Sequence, residues 1–156
     1  MTLFSLKSPT AAIVVLATIF GSTTLSQESK SQNKQWYKGN LHTHSLWSDG
    51  NDFPEMICDW YQRNGYQFLA LSDHNILSND AANWIDPDVA AKRGAIGALE
   101  RYQERFGKEW VELRKQPNGT MVRLKTLDEF RGKFEKPGKF LLVQSEEITD
   151  HVGPLP

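Results

Sequence analysis

The fold is decided by two stretches of sequence, NLHTHSLWSDG at residues 40–50 and FLALSDHN at residues 68–75. Side chains alternate along a strand, so a strand over residues 36–44 points His42 and His44 to the same face. The second stretch opens with a continuous apolar run, as expected of a parallel strand that is buried on both faces. We therefore predict two strands that each end in residues suited to metal binding.

A helix is predicted between these two strands. Residues 51–54 open it, with Asp52 as a possible cap and Pro54 in the first turn. Residues 64–65, Asn-Gly, end it. Its predicted apolar stripe consists of Met56, Ile57, Trp60 and Tyr61. A strand, a helix and a second strand with short joints form a βαβ unit, so the strands should be parallel and their carboxyl ends should share one edge. Barrels of the α/β class place their chemistry at that edge.

The middle of the chain carries no motif of this kind. Residues 76–88 are rich in Asn, Asp and Pro and predict a loop, and residues 88–105 predict a helix. Two apolar segments, residues 110–113 and 121–124, flank the turn sequence Gln-Pro-Asn-Gly at residues 116–119. This arrangement predicts a β-hairpin.

A third strand is predicted towards the end of the chain. The capping-box sequence at residues 126–129 predicts a helix that ends near Lys136. The apolar run that follows predicts a buried strand over residues 139–145. Glu146 and Glu147 stand at or just past its end, so acidic groups again reach a carboxyl edge.

Histidines and carboxylates at one sheet edge indicate a metal site. Two imidazoles on one face can hold one divalent ion, or one ion each of an adjacent pair. Asp49 lies in a Ser-Asp-Gly turn that can fold its carboxylate back over the end of the first strand. Each motif alone has a simpler explanation, because an H-x-H pair is often a solvated strand edge. Their combination favours a metal site.

Composition suits one ordinary soluble globular domain. The chain has 156 residues, a formal net charge of −1 and 39% hydrophobic residues. The charge balance gives no reason to propose nucleic acid or an anionic membrane as a partner. Cys58 is the only cysteine, so an internal disulfide is excluded. We interpret Cys58 as a small buried apolar residue.

The first 26 residues have the layout of a secretory signal peptide. Lys7 is their only charge, an apolar run covers residues 11–20, and small and polar residues follow. The run is too short for a transmembrane helix, which needs ~20 residues. We predict a signal peptide at residues 1–26, a polar linker at residues 27–35 and a folded part at residues 36–156. The mature protein would be secreted or periplasmic, without stable membrane association.

Together these motifs resemble the PHP superfamily, the polymerase and histidinol phosphatase domain. The resemblance rests on residues 42–50, 72–75 and 145–149, and it covers the chain from residue 36 to about residue 153. It implies an α/β fold, namely a partial distorted (β/α) barrel with parallel strands and crossover helices. Residues 76–136, with a helix and a β-hairpin, would be an insertion. It also implies two or three divalent ions (zinc, manganese or iron) at the carboxyl end of the barrel.

The resemblance assigns a role to each candidate residue. The implied metal ligands are His42, His44, Asp49, His74, Glu147 and His151. His42 and His44 would bind one ion, Asp49 and His74 would help to hold another, and Glu147 would bridge two ions. Glu147 is preferred to Glu146 because it directly precedes the Ile-Thr pair. Asp73 is the candidate catalytic residue, at an acidic position that supports the ligands.

The predicted function is metal-dependent hydrolysis of a small-molecule phosphate ester by a metal-bound hydroxide. One alternative is a metal hydrolase of the amidohydrolase type, which also opens with H-x-H on a first strand. Another is a secreted, non-catalytic binding module with a degenerate site. Members of the PHP superfamily continue beyond the third motif and supply further ligands, so we expect the 156 residues to be the N-terminal part of a longer domain.

Overall fold

The computed structural model describes residues 34–150. The predicted signal peptide, most of the predicted linker and His151 lie outside the described residues. Residues 35–150 belong to one compact unit. Within the described range, no helix is long and apolar enough to cross a bilayer. The elements in chain order are β1 (Gly39–Asn40), α1 (Pro54–Arg63), β2 (Phe68–Leu71), β3 (Trp84–Ile85), α2 (Pro87–Lys92), α3 (Ala98–Phe106), β4 (Leu113–Gln116), β5 (Gly119–Arg123), α4 (Leu127–Phe134) and β6 (Leu141–Gln144).

The predicted parallel sheet is confirmed. Its strand order is β1-β2-β6, and both strand pairs are parallel. Helices α1 and α4 contact one another and this sheet. The core beneath them is formed by Cys58, Leu69, Leu71, Leu127, Phe130, Phe134, Phe140 and Leu142. Cys58 is fully buried, as predicted. Each such leucine or phenylalanine contributes about 1.5–3 kcal/mol through burial.

Strand β1 is much shorter than predicted. The backbone of residues 38–43 still follows β2, because the amide of Gln67 donates to the carbonyl of Lys38 and the amide of Ser72 donates to that of Thr43. The Asn40 side chain interrupts the ladder by accepting a hydrogen bond from the backbone amide of His42 (3.0 Å). Such a turn replaces a strand hydrogen bond with a local one.

One face of this sheet is open within the described residues. The run at residues 140–143 was predicted to be buried, but Leu141 is 52% exposed and Val143 is 37% exposed. Both side chains line an apolar groove of about 520 Å³, together with Leu41 and Phe68. The helices cover only the opposite face, so alternate residues of β6 stay accessible. The structure thus shows a parallel three-stranded sheet with helices, and the partial distorted (β/α) barrel stays a prediction.

The predicted β-hairpin is confirmed and belongs to a second sheet, but its first strand covers Leu113–Gln116 and not residues 110–113. Strands β4 and β5 pair antiparallel, and β3 adds to the other edge of β5. The single helix predicted over residues 88–105 is wrong. Gly94 (φ 118°) and Gly97 (φ 66°) adopt left-handed backbone conformations between α2 and α3. Glycine adopts such angles at low cost, so the two glycines end one helix and start another.

The predicted cap and apolar stripe of α1 are wrong in part. Phe53, and not Asp52, occupies the N-cap position, and Pro54 starts the helix. Trp60 is 50% exposed, whereas the carboxylates Glu55 and Asp59 are buried. The reason is that α1 also faces residues 76–136, the predicted insertion, where Glu55 and Asp59 accept hydrogen bonds from side chains on α3. The capping box of α4 at residues 126–129 is confirmed.

Candidate metal centre

The two histidines of the first motif meet the glutamate of the third at a single oxygen. Glu147 Oε2 lies 2.8 Å from His42 Nε2 and 2.7 Å from His44 Nε2. The two Nε2 atoms are 3.2 Å apart. Two ring nitrogens and one carboxylate oxygen therefore converge on the same small volume, as predicted from the H-x-H spacing.

His74, from the second motif, lies beside Asp49 and Glu147 in this cluster. His74 Nε2 lies 3.4 Å from Asp49 Oδ2, and His74 Nδ1 lies 3.7 Å from Glu147 Oε2. Asp49 Oδ1 is 2.7 Å from His44 Nδ1. The five residues form two overlapping groups, His42 with His44 and Glu147, and His44 with Asp49 and His74. Within each group the potential ligand atoms lie within 4.8 Å of one another.

The donor set fits divalent metal ions. Imidazole nitrogens and carboxylate oxygens suit zinc, manganese and iron. Glu147 lies within reach of nitrogens from His42, His44 and His74, which is the position a bridging carboxylate would need. Glu146 belongs to neither group. His151 lies outside the described residues, so its predicted role as a ligand stays a prediction.

The charges of the cluster are strongly coupled. Burial by itself lowers the pKa of His44, but hydrogen bonds to Asp49 and Glu147 outweigh burial and raise the pKa. The hydrogen bond from His44 lowers the pKa of Asp49, and that from His42 lowers the pKa of Glu147. Both ring nitrogens of His44 face carboxylate oxygens, and only the protonated ring can donate to both. A divalent cation would have to displace that proton in order to bind His44, so its affinity would depend on pH.

Asp73 holds the loop that carries Asp49. Its Oδ1 accepts hydrogen bonds from the Ser45 amide (2.7 Å) and the Ser48 hydroxyl (2.6 Å). Its Oδ2 accepts one from the Ser45 hydroxyl (2.7 Å). The side chain is fully buried, and Asp73 belongs to neither group of potential ligands. These contacts support residues 45–52, which are here named the metal-site loop.

Gly50 is required by the tight path of the metal-site loop. Its amide donates to the carbonyl of Ser45 (2.9 Å). A Cβ atom at this position would lie 2.4 Å from the carbonyl oxygen of His44 and 2.6 Å from Ser45 Cα. The Ser-Asp-Gly turn predicted from the sequence therefore folds Asp49 back onto His44.

The insertion packs under the metal-site loop. Leu46, Trp47 and Phe53 share a buried core with residues of the insertion, namely Ala90, Ala95, Ala98, Tyr102, Val111, Val122 and Leu124. The indole nitrogen of Trp47 donates to the carbonyl of Lys125 (3.2 Å). Sequence reasoning missed this support, although an apolar Leu-Trp pair inside a polar motif signals a buried anchor.

Two further polar residues orient His74. The hydroxyl of Thr149 lies 2.5 Å from His74 Nδ1. Asn75 and Thr149 exchange hydrogen bonds, with the Asn75 side chain accepting from the Thr149 amide (2.9 Å) and donating to its carbonyl (3.0 Å). The sequence-based assignment did not include Asn75 or Thr149 as site residues. Both residues lie in the motifs that carry the family resemblance, at residues 72–75 and 145–149, and this position could have identified them.

One curated protein resembles part of this chain. The DNA polymerase/3'-5' exonuclease PolX of Bacillus subtilis (strain 168) is 32% identical to it over 85 residues, which is 54% of this chain. The chain spans only 15% of the length of that relative. No protein-family profile matches the chain. No solved structure matches it significantly. This partial similarity is consistent with the PHP-type motifs but does not by itself show the family of the chain.

Proposed function

We propose that this chain carries the metal centre of a PHP-type, metal-dependent phosphoesterase. The observation that carries the proposal is the meeting of three separate motifs at one point, where His42, His44 and His74 surround the Glu147 carboxylate. A structural role alone would not require three imidazoles around one acid. Coordination of a shared divalent ion explains why they meet.

The five residues of the two groups would together hold two ions. His42 and His44 would bind one ion through their Nε2 atoms. His74 and Asp49 would bind the other, and Glu147 would bridge both. We assign Asp73 a positioning role in place of the catalytic role predicted from the sequence, because both of its carboxylate oxygens accept hydrogen bonds from the metal-site loop.

The chemistry follows from this arrangement. A pair of divalent ions would supply Lewis acidity that polarises the phosphoryl group and activates water. The chain's residues orient that centre: the Asp73 hydrogen bonds fix the metal-site loop, and Thr149 fixes the ring of His74. Such supporting contacts typically alter metal affinity or activity by about 10–100-fold when they are removed.

The similarity to PolX favours phosphate esters over other substrates. That relative is named as a 3'-5' exonuclease, and an exonuclease cleaves phosphodiester bonds. We therefore propose phosphomonoesters or phosphodiesters as the substrate class, with small-molecule esters first. The proposal places the protein outside the cytoplasm, because residues 1–26 have the pattern of a signal peptide.

The test is a substrate panel assayed on the purified protein with manganese, zinc or iron. The panel contains a phosphomonoester, a phosphodiester, a single-stranded DNA oligonucleotide, an amide and a lactone. Hydrolysis of a phosphate ester that is lost in His42→Ala supports the proposal. Preferential hydrolysis of the amide or lactone would instead favour an amidohydrolase-type enzyme. Stable metal binding without any turnover would favour a binding module.

A further inference from the structure

A short segment of the insertion lies against the metal-site loop. Arg93, directly after α2, donates a hydrogen bond from Nη1 to the carbonyl of Ser48 (3.4 Å). Gly94 approaches Asn51 so closely that a Cβ atom would lie 3.0 Å from its side-chain oxygen. Arg101 forms an ion pair with Asp52 (3.2 Å). Three points of the loop are thus in contact with this segment, which holds the backbone around Arg93 against the metal-site loop.

Arg93 differs from the other arginines of the described chain in its charge environment. Five of the seven described arginines form an ion pair with a carboxylate, namely Arg63, Arg101, Arg105, Arg123 and Arg131. Arg114 lies over the ring of Trp84, 3.9 Å from its centroid. For Arg93, no carboxylate among residues 34–150 lies within ion-pair distance. Its charge therefore remains available to a ligand.

The guanidinium is also accessible and only loosely held. Arg93 is exposed, and its hydrogen bond to Ser48 is at the long end of the range for such bonds. A guanidinium has five N–H donors in a planar fork that matches phosphate oxygens, so most of its donors are free to bind an anion. The carbonyl of Ser48 is adjacent in sequence to Asp49, and Asp49 contacts His44 and His74.

We propose that Arg93 is the phosphate-binding arginine of this site and contacts the non-reacting phosphoryl oxygens of the substrate. The inference rests on the proposed function and names a residue that the motifs do not contain. The insertion then has two roles: its core supports the metal-site loop, and its Arg93 adds a cation at the rim. A charge-assisted, bidentate pair of this kind is stronger than a neutral hydrogen bond.

The test measures binding of inorganic phosphate to the manganese-loaded protein by isothermal titration calorimetry. Arg93→Gln should weaken phosphate binding about tenfold or more, because it removes a charge-assisted contact. Its manganese content and circular dichroism should match those of the wild type. Arg93→Lys, which keeps the charge without the planar fork, should show a smaller loss. The matched control is Lys92→Gln, because Lys92 is the exposed neighbouring cation, and its affinity should stay within about twofold.

The possible failures are distinguishable. Equal phosphate affinities for Arg93→Gln and the wild type, or equal losses in Arg93→Gln and Lys92→Gln, would overturn the role of Arg93. Loss of manganese from Arg93→Gln would also overturn it, by showing that Arg93 merely supports the loop. If Arg93→Gln does not fold, Arg93→Lys decides: a loss of phosphate binding no larger than for Lys92→Gln would refute the proposal, and a larger one at full manganese content would support it. A wild-type protein that binds manganese but no phosphate refutes the Arg93 proposal alone, whereas one that binds no divalent ion refutes the proposed function itself.

Discussion

Replacement of Asp73 should destabilise the folded protein and weaken metal binding, because Asp73 holds the metal-site loop in place. This carboxylate accepts three hydrogen bonds of 2.6–2.7 Å from Ser45 and Ser48, and it is fully buried. Asp73→Ala leaves the Ser45 amide and both hydroxyl groups without their acceptor. The loop carries Asp49, so the loss should reach the metal centre although Asp73 does not contact it.

The size of the effect follows from the three hydrogen bonds. A hydrogen bond to a charged group contributes about 1.5–3 kcal/mol, and a buried donor left without an acceptor costs about 1–3 kcal/mol. The three bonds share one carboxylate and are not additive. We expect Asp73→Ala to lower the free energy of unfolding by about 4 kcal/mol and Asp73→Asn by about 2 kcal/mol, because Asn retains one acceptor oxygen. Manganese affinity should fall about 10–100-fold in both variants.

Urea unfolding and calorimetric manganese titration measure the two effects on the same protein preparations. The matched control is Asp128→Ala, which removes a surface carboxylate that is 90% exposed and should change the free energy of unfolding by less than about 1 kcal/mol. An Asp73→Ala protein with wild-type stability and manganese affinity would refute the positioning role.

Three further outcomes are expected from acidic residues. Glu147→Gln should lose bound metal and Glu146→Gln should retain it, as judged by elemental analysis, and equal losses would contradict the choice of ligand. Burial raises the pKa of Glu55, so the neutral form is favoured in the folded state, and this contribution to stability is lost as pH rises above the ordinary value of 4.5. Glu55→Gln should therefore gain stability relative to the wild type as pH rises above 4.5 in thermal melts, and a pH-independent difference would exclude a buried ionisable group. Arg123 donates hydrogen bonds to both Glu112 and Glu129, and these bonds lower the pKa of each carboxyl group to about 2. The stability they contribute is present above the ordinary pKa of 4.5 and should decline as pH falls from there to about 2, and Glu112→Gln should flatten that decline in acid unfolding curves.

The βαβ unit could be predicted because its signals are local. The apolar run of β2, the Asn-Gly end of α1 and the polar residues after each strand are sufficient to predict parallel strands with a shared edge. The same signals bring His42, His44, His74 and Glu147 to one place. The order of strands and motifs thus predicts that these residues reach one sheet edge, whereas the choice of Glu147 over Glu146 rests on the Ile-Thr pair that follows it.

Other features depend on contacts between distant residues, which a single sequence does not reveal. The end of β1 is set by the Asn40 side chain, and the break between α2 and α3 is set by two glycines that also tolerate helical angles. Burial of Glu55 and Asp59 on α1 depends on Tyr102 and Arg105, more than 40 residues away in sequence. Hydrophobic periodicity alone assigns such carboxylates to solvent.

The packing of residues 76–136 against the metal-site loop could not be predicted from the sequence either. Nothing in the motif at residues 40–50 indicates that Trp47 packs against a segment that begins more than 25 residues later. The exposure of Leu141 and Val143 could not be predicted either, because their apolar run is the same whether one or both faces of a sheet are covered.

The most direct test of the central claim is the number of divalent ions bound per chain, measured by elemental analysis after incubation with manganese and dialysis. His44 would bind one ion, and its Nδ1 lies 2.7 Å from Asp49 Oδ1 in the other group, so its loss should affect both positions. We predict at least one tightly bound ion per wild-type chain and essentially none in His44→Ala, with unchanged circular dichroism. A folded wild-type protein that retains no divalent ion, or a His44→Ala variant that retains as much as the wild type, would contradict the account.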